Sequence, residues 1–270
     1  LRLLYSDSVD PTNATFESSP RFSGDTPRTM LDEINLTLRE EMERDSRIVV
    51  FGEDVAHCSN DEHLGSVKGK GGVFKVTHGL QKAFGGTRVF NSPLAEANII
   101  GRAVGMATRG MKPVAEMQFA DFISCAFDQI TNFAAKCRYR WGAPVPIVIR
   151  GPSGGGIHGG PFHSVNPESW FLNVPGLKIV APSTPSDAKG LLSAAVRDAN
   201  PVLYLEHKYL YRHLKAEVPE GEHLVEIGRA AVALFLRARR HSFDRRADPA
   251  FKLCGRLTIA RLDGVFGHDP

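Results

Sequence analysis

The hexapeptide NSPLAE at residues 91–96 is the segment of this sequence whose residue types best suit chemistry. It places the carboxylate of Glu96 after a short β-rich run, 88–90, and directly before a predicted helix, 97–109. Folds of the α/β class bind ligands at the carboxyl ends of their strands. Small residues at four alternate positions of that helix would let a backbone or a flat ligand approach. The simpler alternative is a solvated glutamate favoured by the helix dipole, and position by itself favours that alternative.

Two further segments place polar and aromatic side chains near predicted strand ends. The segment QFADF joins a strand to a helix, so Gln118 and Phe122 could face a ligand, although core packing is the default for its phenylalanines. The glycine-dense loop 151–160 contains His158 and is soon followed by His163. Histidines on such a loop suit proton transfer at neutral pH, but ordinary loop histidines are the simpler interpretation.

The sequence does not fit three familiar site motifs: the P-loop, the nucleophile elbow and the zinc site. The loop 65–72, GSVKGKGG, lacks the spacing of a phosphate-binding P-loop, although Lys68 and Lys70 could contact anions near a site. The stretch GPSGG at 151–155 matches G-x-S-x-G, but glycines and a proline follow where a nucleophile elbow needs a helix. Neither the histidines nor the cysteines stand at zinc-ligand spacing.

Composition describes an ordinary globular chain. Its 270 residues are 42% hydrophobic and 23% charged, which is enough for one or two domains with a core. The formal net charge of +3 is weak, so nucleic acid is not the expected partner. No apolar run is long enough to predict a membrane span. The four cysteines show no CxxC pair, which favours a reducing compartment.

Strands and helices alternate along the chain with short connections, which predicts a doubly wound parallel sheet flanked by helices on both sides, an α/β fold. The first helix is expected to begin at a Thr26-Pro27 cap and to end near Arg44, and Thr184 is expected to cap the last. The other predicted strands are 48–51, 113–119, 144–150, 177–180 and 201–206, and the other predicted helices are 74–84, 122–140 and 185–199.

The domain plan has four parts. Residues 1–27 are polar and aperiodic, so they are expected to be a linker or arm, and residues 28–208 form the α/β domain. Residues 209–233 are expected to begin an interdomain linker. The Arg-rich tail, 234–270, shows no sustained period, and we expect it to be poorly ordered.

Several segments together resemble the β subunit of thiamine-diphosphate-dependent 2-oxo acid dehydrogenases, the decarboxylating component of those complexes. The resemblance runs from about Arg28 to about Ala233. The segments are NSPLAEANIIGRAVGMATRGMKPVAEMQFADF, FDQITNFAAKCRYR, FHSVNPE, PGLKIVAPSTPSDAKGLL and NPVLYLEHKYLYR. QFADF, AKCRYR and EHKYLYR are closer to the branched-chain (2-oxoisovalerate) type than to the pyruvate type. The first 27 residues resemble the junction of a fused α–β chain, which would explain a start without Met.

The resemblance implies a role for each candidate residue. Glu96 matches the glutamate that hydrogen-bonds the aminopyrimidine ring of thiamine diphosphate and so activates the cofactor. Phe122 matches the aromatic residue that stacks on that ring, while Leu94 and Gln118 match flanking pocket residues. His163 matches the histidine that faces the reacting carbon and handles substrate or lipoyl intermediates.

The resemblance also implies a structural potassium ion and partner chains. The potassium ligands would be main-chain oxygens and side chains at Ile147, Val148, Ala195, Asp198 and Asn200. The GDG…N motif that holds Mg²⁺ and diphosphate does not occur in this sequence. An α subunit would therefore supply that half of the site, in an α2β2 heterotetramer or a fused chain, and a lipoyl acyltransferase core would be a further partner.

One departure from the family concerns the C-terminus. A second α/β domain would follow Val232, where this chain has its Arg-rich tail, so we expect the isolated chain to be inactive. Two alternatives remain open: a truncated, non-catalytic remnant or binding module of the same fold, and another thiamine enzyme of the transketolase type. The expected location is the bacterial cytoplasm, or the mitochondrial matrix for a eukaryotic chain.

Overall fold

Continuous runs of apolar residues form the strands at the centre of the fold. The computed structural model describes residues 27–228 and the backbone of one strand at 257–259. The strands are β1 (Arg28–Thr29), β2 (Ile48–Gly52), β3 (Val89–Asn91), β4 (Lys112–Glu116), β5 (Val148–Ser153), β6 (Lys178–Ala181), β7 (Val202–His207), β8 (Lys215–Ala216) and β9 (Leu257–Ile259). All five residues of β2 and all six of β5 are buried, as expected for parallel strands covered on both faces.

Helices occupy both faces of the sheet. The α-helices are α1 (Met30–Arg44), α2 (Leu80–Phe84), α3 (Glu96–Thr108), α4 (Cys137–Trp141), α5 (Glu168–Phe171), α6 (Pro185–Arg197) and α7 (Leu210–His213). Short 3-10 turns cover 61–63, 120–126 and 161–163, and a π-helical segment covers 129–134. Within residues 27–228, no helix is long and apolar enough to cross a membrane.

The sheet confirms the predicted doubly wound architecture. Its strand order is β3-β2-β4-β5-β7-β6-β9, and the first six strands are parallel. β9 pairs antiparallel with β6, and β1 pairs antiparallel with β8 in a separate two-stranded sheet. The rest of the tail, 229–256 and 260–270, and the arm, 1–26, lie outside the described residues.

Each face of the sheet has its own apolar core. Met30, Ile34 and Leu38 of α1 pack with Leu191 and Leu192 of α6 on one face. On the other face, α3 and the segment 120–137 pack against the side chains of β2, β4 and β5 that point to that face. The two layers hold the strand ends in fixed positions, which is what a site built from several strands requires.

Three predicted helix boundaries were wrong. α1 is capped by Thr29, because the Thr29 hydroxyl accepts from the Asp32 N–H (3.1 Å) and the Asp32 carboxylate accepts from the Thr29 N–H (3.4 Å), a complete capping box. The helix predicted over 74–84 forms only at 80–84, because Lys75 and Gly79 adopt positive φ angles of 72° and 80°. The helix predicted over 122–140 is divided into a 3-10 turn, a π-helical segment and α4.

Other expectations were close to the structure. Thr184 caps α6 by accepting from the Asp187 N–H at 3.1 Å, as predicted. The expected domain limits stay predictions, but the chain beyond residue 208 continues to contact the domain. Tyr211 of α7 and Val225 are buried, and the Val225 N–H donates to the Gly190 carbonyl at 3.2 Å.

Candidate functional site

The strand order places the site at a crevice between strand ends. From β2 the chain moves outward to β3, and after α3 it returns on the other side of β2 as β4. Ligands of open α/β sheets bind at such a reversal, outside the carboxyl ends of the strands. Glu53, Glu96 and Gln118 follow β2, β3 and β4 at this edge. The structure therefore brings two of the predicted site residues, Glu96 and Gln118, to one edge of the sheet.

Glu96 is buried, with 9% of its surface exposed, at the first position of α3. The simpler interpretation of a solvated surface carboxylate is therefore wrong. Ala95 precedes the helix and offers no side-chain cap, so Glu96 itself supplies the negative charge that the helix dipole favours. Among the described residues, none donates a hydrogen bond to its carboxylate. The carboxylate is therefore available to accept a hydrogen bond from a ligand.

A second buried carboxylate, Glu53, lies beside Glu96 and was missed in the sequence analysis. It directly follows β2 and is 7% exposed. Burial raises the pKa of Glu53, and the negative charges of Glu96 and Asp54 raise this pKa further. The strand-end argument that singled out Glu96 applies equally to Glu53, so the sequence held the signal for both.

Gln118 connects β4 to the glycine-rich loop 65–72. Its side-chain amide donates to the Asp54 carboxylate at 3.3 Å, and the ammonium of Lys70 lies 3.9 Å from the other oxygen of that carboxylate. The N–H of Gly72, which has a φ of 77°, donates to the Asp54 carbonyl at 2.8 Å. The loop that was expected to lie near the site therefore reaches Gln118 through Asp54.

His163 and Phe122 belong to a small aromatic cluster. The His163 ring lies edge-on to Phe119, with centroids 4.5 Å apart, and edge-on to Phe122, with centroids 5.7 Å apart. Phe122 and His163 are half-buried, so both keep a surface that a ligand can contact. The structure thus brings Phe122 and His163, two of the predicted site residues, into contact. Leu94 lies in the turn before α3 and is 78% exposed.

Beneath these residues lies a buried ionic network. Arg150 of β5 donates two hydrogen bonds to Glu206 of β7, at 2.6 and 2.7 Å, and one to Glu116 of β4, at 2.5 Å. The Tyr211 hydroxyl donates to Glu206 at 2.5 Å. Burial raises the pKa of Glu116, although the nearby Arg150 opposes that rise. The network joins three strands just below the edge where the candidate residues lie.

The predicted potassium residues come together at the opposite, amino-terminal edge of the strands. The Ile147 carbonyl accepts from the Val202 N–H at 2.9 Å, and the Ala195 carbonyl accepts from the Asp198 N–H at 3.2 Å. The Asp198 carboxylate pairs with the Lys178 ammonium and also accepts from the Asn200 N–H at 2.9 Å.

In the same region, the Asn200 side-chain oxygen accepts from Arg138, and Val148 begins β5. The Lys178 and Arg138 cations thus contact two of the proposed side-chain ligands. The potassium site stays a prediction.

Ser153 of the G-x-S-x-G match is the last residue of β5, is 1% exposed, and precedes a loop rather than a helix. No group of three or more His, Cys, Asp or Glu residues within the described part of the chain is arranged to hold a metal ion. The three cysteines that the structure describes, Cys58, Cys125 and Cys137, are free thiols.

Known proteins resemble this chain in sequence over about three quarters of its length. The β subunit of 2-oxoisovalerate dehydrogenase from Bacillus subtilis (strain 168) is 54% identical over 206 residues, covering 75% of this chain and 59% of that protein. The mitochondrial 2-oxoisovalerate dehydrogenase β subunit of Dictyostelium discoideum is 48% identical over 202 residues, covering 74% and 51%. A pyruvate dehydrogenase E1 component β subunit of Staphylococcus epidermidis is 46% identical over 206 residues, covering 76% and 60%. The chain thus spans 51–60% of the length of these relatives.

Structure and family lead to the same conclusion. A solved structure titled "Split gene transketolase, inactive beta4 tetramer" matches with a TM-score of 0.51 and 21% sequence identity, covering 75% of this chain and 57% of that one, which supports the fold. Residues 27–213 match the family described as "Transketolase, pyrimidine binding domain". That match covers more than half of the chain. The chain therefore belongs to the transketolase pyrimidine-binding domain family.

Proposed function

We propose that this chain is the β-subunit half-site of a 2-oxo acid dehydrogenase of the branched-chain type and that it binds the pyrimidine half of thiamine diphosphate. The observation that carries the proposal is the buried Glu96 carboxylate at the sheet reversal, which accepts no hydrogen bond from the described residues. The family match and the 54% identity to a 2-oxoisovalerate dehydrogenase β subunit support it.

The residues of the site fit such a cofactor. Glu96 offers a free acceptor for a ring nitrogen that carries a proton, and Phe122 offers a half-buried aromatic face for stacking. Leu94 and Gln118 would border the ring. When bound, thiamine diphosphate supplies a nucleophilic carbon for attack on the 2-oxo group of the substrate.

The chain's own residues would handle protons around the cofactor. At its carboxylate, Glu96 would accept the hydrogen bond of the protonated ring nitrogen. Glu53, with its raised pKa, takes up a proton more readily than an ordinary glutamate and so limits the repulsion between the two acids. His163, held by its edge contacts with Phe119 and Phe122, would donate or accept a proton at the substrate side.

Other parts of the activity would require partner chains. We propose that an α subunit supplies the Mg²⁺ and diphosphate ligands and that the acyl group passes to the lipoyl arm of an acyltransferase core. A potassium ion at Ile147, Val148, Ala195, Asp198 and Asn200 would have to displace the Lys178 and Arg138 cations from Asp198 and Asn200, and would then stabilise the amino-terminal edge of the sheet. By itself, the chain would bind only part of the cofactor and would not turn over substrate.

The test is reconstitution with a purified 2-oxoisovalerate dehydrogenase α subunit. Calorimetry should show tighter binding of thiamine diphosphate by the mixture than by the α subunit alone, and the mixture should decarboxylate 2-oxoisovalerate. Glu96→Gln should reduce decarboxylation by about 10²–10⁴-fold, the usual contribution of a positioned acid or base. Glu43→Gln, at an exposed position of α1, should leave the rate unchanged.

The outcomes separate the alternatives. Full activity of Glu96→Gln would refute the role of this carboxylate. No gain in cofactor affinity on mixing would favour the non-catalytic remnant or binding module. Ketol transfer between sugar phosphates without decarboxylation of 2-oxo acids would favour the transketolase-type alternative.

A further inference from the structure

Asp121 contacts the loop that carries His163, although it has no part in the proposed function. It is the second residue of the 3-10 turn 120–126. Its Oδ1 accepts hydrogen bonds from the backbone N–H groups of Ser164 (3.0 Å) and Val165 (3.1 Å). These two residues directly follow His163, so one carboxylate oxygen holds the backbone on the carboxyl side of the histidine.

The rings on both sides of Asp121 contact the same histidine. Phe119 and Phe122, two residues before and one residue after Asp121, both present their rings to the His163 imidazole. The imidazole Nδ1 also lies 3.1 Å from the Gly159 carbonyl. The turn 119–122 therefore fixes both the side chain of His163 and the backbone that follows it.

A buried lysine lies near Asp121. Lys208, directly after β7, is 5% exposed, and its ammonium donates to the Pro152 carbonyl at 3.3 Å and lies 5.7 Å from the centroid of the Phe119 ring. Its positive charge attracts the Asp121 carboxylate. The second oxygen of Asp121, Oδ2, is buried and accepts no hydrogen bond from the described residues. Asp121 therefore holds the backbone of residues 164 and 165 through one oxygen only, near a buried positive charge.

We propose that Asp121 is a positioning residue for His163, and that it sets the place of the imidazole by fixing the backbone at residues 164 and 165. The proposal rests on the proposed function, in which His163 handles protons at the substrate side. A general acid or base must lie within hydrogen-bond reach of the atom it serves. A displacement of about 1 Å can cost about 100-fold in rate.

The first experiment measures the contact itself in the full chain, without cofactor or partner. Hydrogen exchange of the peptide containing Ser164 and Val165 should become about tenfold faster in Asp121→Ala, because hydrogen bonds to a charged acceptor are lost. Asp121→Asn keeps an acceptor oxygen and should show a smaller increase. Asp128→Asn, an exposed carboxylate that accepts from Asn132 at 2.7 Å, is the matched control and should leave the peptide unchanged. Unchanged exchange in Asp121→Ala would overturn the proposal.

The second experiment measures function in the complex with the α subunit. Asp121→Ala should lower kcat by about 10–100-fold, and Asp121→Asn by less, while the dissociation constant for thiamine diphosphate stays unchanged, because His163 would be displaced but Glu96 and Phe122 would not. A loss of cofactor affinity equal to the loss in kcat would instead indicate a general structural role and overturn the proposal. An inactive wild-type complex would refute the proposed function of His163, whereas the exchange experiment would still report on the Asp121 contact.

Discussion

Replacing Arg150 with methionine should strongly destabilise the domain. The side chain is fully buried and donates three hydrogen bonds, two to Glu206 and one to Glu116. Without the guanidinium, Glu206 would keep only the hydroxyl of Tyr211, and Glu116 would lose the one hydrogen bond that it accepts from the described residues. Removing one partner of a buried ionic group costs about 3–5 kcal/mol, a large part of the 5–15 kcal/mol that stabilises a typical domain.

The pH dependence of this loss has a definite sign. Burial already raises the pKa of Glu116 in the wild type, and loss of the Arg150 charge would raise this pKa further. A carboxyl whose pKa is higher in the folded than in the unfolded chain loses stability as the pH rises above its unfolded value. The free energy lost in Arg150→Met should therefore be larger at pH 7 than at pH 5.

The assay is urea unfolding followed by far-UV circular dichroism at both pH values. Arg47→Met is the control, because Arg47 pairs with Asp45 at 2.7 Å on the surface and should contribute less than about 1 kcal/mol. Arg150→Lys keeps the charge but not the forked geometry and should fall between the two. If Arg150→Met cost no more than Arg47→Met, or cost the same at pH 5 and pH 7, the network would not behave as a buried ionic cluster.

Two further predictions concern single side chains. Glu53→Gln should stabilise the chain at pH 7 but not at pH 4. The pKa of Glu53 is raised in the folded chain, so its ionisation opposes folding as the pH rises through that pKa. Equal urea midpoints for variant and wild type at pH 7 would contradict this prediction. Thr29→Ala should lower the free energy of unfolding in urea by about 1 kcal/mol, because it removes the capping box of α1. Thr108 is the control: its hydroxyl only donates to the Gly105 carbonyl within α3, so Thr108→Ala should stay within about 0.5 kcal/mol of wild type.

The strands and the main helices could be predicted because their signals are local. The run 48–51 is uniformly apolar, and Thr184 followed by a proline marks the start of α6. The failures arose where a local signal competed with tertiary contacts. Residues 122–140 carry a pattern typical of one helix, but the structure breaks this stretch after Ala126 and after Ala134. Its first part is a 3-10 turn in which Asp121 and Phe122 contact the His163 loop.

The site was predicted in part. Glu96 follows a strand and matches a family motif, so the sequence pointed to it, whereas Glu53 was overlooked although it follows a strand in the same way. Arg150 could not be recognised, because an arginine after an apolar run looks like an ordinary solvated strand end. Only the pairing of β5 with β4 and β7 reveals that acidic groups of both neighbouring strands face it.

The Arg150 network also selects one alignment of the central strands. Strands β4 and β5 align Val114 with Val148 and Glu116 with Arg150, and long crossovers, rather than tight turns, join the strands of the sheet. A slip of two residues would exchange one apolar neighbour for another along most of the interface, at little cost. The same slip would place Arg150 opposite Val114 and leave buried charges without partners. The ionic cluster therefore makes misaligned sheets unstable, a discrimination that valine and isoleucine side chains by themselves do not provide.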